Sequence, residues 1–133
     1  MNNLVLSRGI GQSVFIGRNI QPKRAVETCD LRVMLKGLYE LKRSCVGLIE
    51  ITGIEESSME IALAEGHKNP VEIGELKVWF KGTKNFEIDE RHCTRCGAEQ
   101  DGKTRIRRNG LLRFQAPPEV QIFRGNRIGR NAR

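Results

Sequence analysis

Leu4-Val5-Leu6-Ser7-Arg8-Gly9-Ile10-Gly11-Gln12-Ser13-Val14-Phe15-Ile16-Gly17 reads as two short strands joined by a glycine turn. Alternation puts Leu4, Leu6 and Arg8 on one side of the first strand and Val5 and Ser7 on the other. Gly9 and Gly11 punctuate the turn, and Gly17 stops the second strand. The far end of the chain uses the same device. Leu111 to Arg124 forms two strands either side of Pro117-Pro118, and Val120, Ile122 and Arg124 again alternate up to a terminal arginine.

Between these ends the pattern changes twice. Gln21-Pro22-Lys23-Arg24 breaks the β alternation. Leu31, Met34, Leu35, Leu38 and Leu41 then recur at helical spacing, with Asp30 placed as a cap and Lys42 and Arg43 at the dipole's negative end. The spacing predicts a helix over 30–43 that packs its stripe on the domain's own sheet. Leu48 to Thr52 and Met59 to Leu63 alternate around the polar Glu55-Glu56-Ser57-Ser58 turn, which predicts a hairpin over 48–63. Val71 to Ile73 and Leu76 to Phe80 add strands within 71–80, and residues 82–103 are polar and turn-rich. One helix among many short strands makes the class mainly β, in one compact domain.

Composition bounds the function. The 133 residues hold no apolar run of membrane-spanning length and open on no charged-then-apolar leader, so a cytoplasmic protein is expected. Four cysteines in such a chain point to reduced thiols or a metal, not to a disulfide scaffold. The net charge of +7 is unevenly spread. Residues 1–49 carry a net of +5, residues 50–102 a net of −6 and residues 103–133 a net of +8. Basic ends around an acidic middle suggest an anionic partner, nucleic acid above all. Catalysis has no candidate set. The 2 histidines lie near no nucleophile, and a strand rather than a helix follows Gly9-Ile10-Gly11, which excludes a dinucleotide loop. Trp79 and Phe80 read as core residues in preference to a base-stacking pair.

Taken together, the segments Leu4–Ile20 and Leu112–Arg124 resemble the CsrA/RsmA family of carbon storage regulators. Leu4–Ile20 is similar to the family's opening strand, turn and second strand, and Leu112–Arg124 resembles its last two strands around an Ala-Pro corner. On this resemblance, residues 1–20 and 104–128 are the family's strands, 21–103 is a large insertion and 125–133 is a basic tail. The hairpin at 48–63 is similar to the family's middle hairpin. Val71-Glu72-Ile73-Gly74 could then imitate the final strand, with 111–124 a second version that keeps the arginine.

The resemblance implies a small β-barrel or sandwich of strands interleaved between the subunits of a homodimer. It also implies binding of GGA-containing messenger RNA leaders and control of translation, as by a repressor. By position it carries over Arg8 and Arg124 as RNA contacts, Leu6 and Ser7 as groove residues, and Ala116 and Pro117 as the corner that meets the bases. Arginine's planar fork suits phosphates and guanine edges exposed in single-stranded loops. Gly9 departs from the family, where a basic residue is usual. The acidic middle raises the alternative of an antagonist or adaptor of CsrA-type regulators that has lost RNA binding and uses the fold for association.

His92-Cys93-Thr94-Arg95-Cys96-Gly97, the loop 92–97, has zinc-knuckle spacing but supplies only two thiolates. Cys29 and Cys45 would complete one structural Zn2+ site, pinning the inserted helix to this loop; free or buried thiols are the other reading.

Overall fold

The computed structural model describes residues 2–53, 57–89 and 104–124. Nine strands follow in order. They are β1 (Asn2–Arg8), β2 (Ser13–Gly17), β3 (Leu31–Glu40), β4 (Cys45–Gly53), β5 (Ser58–Ala64), β6 (Val71–Ile73), β7 (Leu76–Asp89), β8 (Thr104–Ala116) and β9 (Gln121–Arg124). Between β2 and β3, Pro22–Arg24 forms a 3-10 turn that leads into a four-residue helix α1 (Ala25–Thr28). All pairings are antiparallel. One sheet has the order β1-β8-β7-β6 and the other β5-β4-β3-β2-β9, so the mainly β expectation holds as two open sheets and not as a closed barrel.

The sheets share one core. Leu6, Val78, Phe80, Leu112 and Phe114 from the first meet Val14, Ile16, Val33, Leu35, Ile49 and Ile51 from the second. Outside it, α1 lays Ala25 over Phe15 and Ile20 on the outer face of β2.

The helix expected over 30–43 is instead β3. A β-bulge explains the false period. Leu35 pairs with Ile49 and Gly37 with Leu48, so Lys36 is an extra residue. Before it, Leu31, Val33 and Leu35 face the core at period two; after it the phase slips by one, and Leu38 packs against the core. Leu31, Leu35 and Leu38 thus mimic helical spacing within a bent strand. Residues 82–89, expected as turn, extend β7, which pairs with β8 as far as Asp89 and Thr104.

Strand order exposes an internal repeat. β1 lies on β8 as β5 lies on β4, and the hairpins β2-β3-β4 and β6-β7-β8 are equivalent. Val14-Phe15-Ile16-Gly17 corresponds to Val71-Glu72-Ile73-Gly74, and Leu31-Arg32-Val33-Met34-Leu35-Lys36-Gly37 to Leu76-Lys77-Val78-Trp79-Phe80-Lys81-Gly82. The register breaks at the same point in each half, between Leu35 and Gly37 and between Phe80 and Gly82. Gly11 and Gly66, in matching turns, both take the left-handed conformation that favours glycine, at φ 87 and 78. Val71–Gly74 is therefore the counterpart of the second strand and not an imitation of the last. The pairings of β1 with β8 and of β2 with β9 are made within one chain.

Two glycines set how closely the halves meet. A Cβ on Gly47 would lie 2.8 Å from the Phe80 ring, and one on Gly110 would lie 3.0 Å from Leu35 Cδ2. These are the same positions in the two halves. Gly→Ala at an open strand site gains roughly 0.5–1 kcal/mol, whereas overpacking a core costs about 1–3 kcal/mol. Gly47→Ala is expected to lower the urea midpoint accordingly, and to cost less in a Phe80→Leu background; equal cost in both backgrounds would show that Phe80 is not the obstacle.

Candidate nucleic-acid interface

The strands that end in Arg8 and Arg124 lie side by side. Asn2 donates from Nδ2 to the Val120 carbonyl at 2.9 Å, tying the start of β1 to the approach to β9. Asn2, Asn3, Leu4 and Ile122 line a cleft between the two strands. β1 and β9 are each the edge of their sheet, so each presents one row of backbone groups without a strand partner among the described residues. Asn3, held by Arg113 Nε at 3.0 Å, fixes the same border from the β8 side.

Arg8 and Arg124 differ in what they can do. Arg124 pairs with Val14 in the backbone ladder and is exposed. Arg8 is only 2% exposed. Its Nε donates to the Ser7 carbonyl at 2.8 Å and its Nη1 to the Ser13 carbonyl at 3.3 Å, so it straps the end of β1 to the start of β2. Burial, and after it the charge of Arg124, push the Arg8 pKa below its ordinary value. The two guanidiniums therefore feel each other, but only Arg124 is presented to solvent.

Of the other expected contacts, Leu6 and Ala116 are buried in the core, and Ser7 and Pro117 are half-buried. Ser7 accepts a hydrogen bond at Oγ from Asn109 Nδ2 at 3.1 Å. Asn109 carries no mark in the sequence that singles it out. Its Oδ1 is buried and has no hydrogen-bond partner among the described residues. It borders the turn after β1, where Gly9, Ile10, Gln12, Arg107 and Arg108 line another cleft. Arg108 is engaged by Glu40 and by Thr83 Oγ1, while Arg107 is exposed.

The glycine at position 9 has a packing reason. A Cβ there would lie 3.2 Å from Asn109 Oδ1 and 3.3 Å from Gln12 Oε1, and the Gly9 N–H is already bonded to Gln12 Oε1 at 2.8 Å. The turn is further held by Gly11 N–H on the Leu35 carbonyl at 2.7 Å. Trp79, expected in the core, is half-buried on the outer face of its sheet. The Arg113 guanidinium stands 4.8 Å over its ring and Nε1 donates to the Lys68 carbonyl. Phe80 is the core member of the pair.

The four-cysteine zinc site does not fit. Leu31 pairs with Gly53 and Glu40 with Cys45, so Cys29, just before β3, and Cys45, at the start of β4, sit at opposite ends of one ladder. Strand rise separates them by roughly 25–30 Å, against the ~4 Å between sulfurs on one ion that ~2.3 Å Zn–S bonds allow. Burial pushes the Cys29 thiol pKa up, which disfavours the thiolate a metal needs. Cys93 and Cys96 lie outside the described residues, and no cluster of three metal-ligating side chains occurs among the described ones. No described helix is long and apolar enough to cross a membrane.

No protein-family model matches the chain, and neither a curated protein nor a solved structure matches it.

Arg8→Ala is expected to cost about 2–3 kcal/mol of stability through the lost strap and the space left behind. Arg8→Met, which keeps the volume and removes the buried charge, is expected to cost less than half of that. Chemical unfolding of the two variants reads both effects. A neutral Arg8→Ala would remove the structural role.

Proposed function

We propose that the protein is a CsrA-like RNA-binding regulator that holds one GGA-containing loop per chain and controls translation by covering the messenger leader. The observation that carries the reading is the meeting of β1 and β9 within a single chain, with a cleft between them and Arg124 exposed beside it. Exposed strand backbone and an exposed guanidinium are the donors and acceptors that read unstacked bases. Arg107, exposed at the cleft beside the turn after β1, adds a charge for phosphate. In this reading Arg8 is a positioning residue that sets the strand end, and its own guanidinium stays on Ser7 and Ser13.

The stoichiometry of one follows from the repeat. Leu63 takes the place of Arg8 on β5, and β6 has no counterpart of β9 beside it among the described residues. β5, the residue after it and β6 also carry Glu60, Glu65 and Glu72, carboxylates that disfavour a phosphate there.

Arg124→Ala is expected to weaken binding to a GGA hairpin about tenfold, and to reduce the slope of log affinity against log salt by about 0.7. Anisotropy titrations at low and high salt read both, and calorimetry is expected to give one RNA per chain. Unchanged affinity in Arg124→Ala would overturn the reading. Burial of Arg8 favours a different one, in which the fold serves association with a CsrA-type regulator. A heterocomplex with such a regulator that no longer binds GGA RNA would establish it. A structural zinc is proposed only for Cys93 and Cys96 with partners other than the Cys29–Cys45 pair; metal analysis of wild type and Cys93→Ser tests it.

A further inference from the structure

The repeat has one place unfilled. β9 covers the outer edge of β2, but among the described residues no strand pairs with the outer edge of β6, its counterpart. The first half of the chain has no strand to offer, because β4 ends at Gly53 and β5 begins at Ser58. Burial reflects the difference. Under β9, Val14 and Ile16 are 0% and 2% exposed, whereas Val71 and Ile73, in the same places on the same core, are half-buried.

We propose that the outer edge of β6 accepts an extended segment of another protein, a strand apolar at alternate positions with Lys or Arg opposite Glu72. The β2–β9 pair is the template. There Val14 faces Arg124, Phe15 faces Phe123 and Ile16 faces Ile122. Transposed to β6, a residue in the place of Ile122 would close the exposed seam of the core over Ile73, the aliphatic stem of one in the place of Arg124 would lie along Val71, and main-chain hydrogen bonds would supply the register. The residue opposite Glu72 takes the place of Phe123. In the filled half that position is apolar because α1 covers Phe15 and Phe123 packs beside it. Glu72 is exposed, and its ion pair with Lys77 is 3.8 Å long between exposed groups. A carboxylate in that setting selects a cation across the strand.

Another copy of the chain is the poorer occupant. Antiparallel pairing of two β6 strands with Val71 opposite Ile73 sets Glu72 against Glu72, a destabilising like-charge pair. That copy's own β9 is already engaged on β2. The inference does not rest on RNA binding.

The test uses the full chain and a synthetic peptide with the sequence of residues 119–125 carrying Phe123→Lys. Residue-resolved amide exchange is expected to slow at Val71–Ile73 on adding the peptide. Glu72→Lys is expected to weaken the peptide about tenfold, and a peptide carrying Phe123→Glu is expected to restore binding to that variant. Circular dichroism checks that the exposed substitution leaves the fold intact. Three outcomes would overturn the proposal: protection of these amides in the free monomer, protection that arises through dimerisation, or peptide affinity indifferent to the charge at position 72.

Discussion

The close approach of two sheets at two glycines is the constraint on which the rest depends. Gly47 on β4 leaves room for the Phe80 ring, and Gly110 on β8 leaves room for Leu35. Each large side chain is the last core residue before a bulge, and each glycine faces the far half of the chain. The contact is reciprocal, so neither half can build its side of the core alone. Packing at crystal-like density tolerates no spare methyl there. In the same structure β1 lies beside β9, while β5 and β6 are the other edges of the two sheets.

That arrangement gives the charge distribution a spatial meaning. The basic ends of the chain converge, because β1 pairs with β8 and β9 with β2. The acidic middle supplies β5 and β6. Equivalent positions of the repeat carry opposite charge even where they touch. Arg18 and Glu75 follow the matched Gly17 and Gly74, and they bond each other at 2.9 Å. Two identical subunits would set like against like at such a site; a single chain can hold an ion pair there, though an exposed one is worth only ~0–1 kcal/mol. Its significance is asymmetry more than strength.

Much of the fold is legible in the sequence because period two survives wherever strands are regular. Leu4–Arg8, Ser13–Gly17, the hairpin at 48–63 and the closing strands all lie where alternation places them. β3 reads falsely as a helix because Lys36 shifts the phase in mid-strand and converts alternation into apparent helical spacing. The repeat is hidden by unequal loops. Val71 follows Val14 by 57 positions but Leu76 follows Leu31 by 45, so no single offset aligns the halves. The site is less legible than the fold. The resemblance singles out Arg124 and Arg8 by position, but alternation cannot say that Arg8 turns back onto two carbonyls. Asn109 carries no signal, since its environment is made by Ser7 and Gly9, about a hundred residues away.

The pairing of opposite ends also sets an order of events at the ribosome. β1 is made first, yet its partner β8 begins at Thr104, and β2 waits for β9 at Gln121. At ~5–20 residues per second, the first strand waits for about 5–20 s with both edges bare. During that interval β2, β3, β4 and β5 can pair with their neighbours in sequence, and so can β6 with β7. The nascent chain therefore exposes Leu6, a core residue of the folded protein, on an unpaired strand until nearly all of the described fold has emerged.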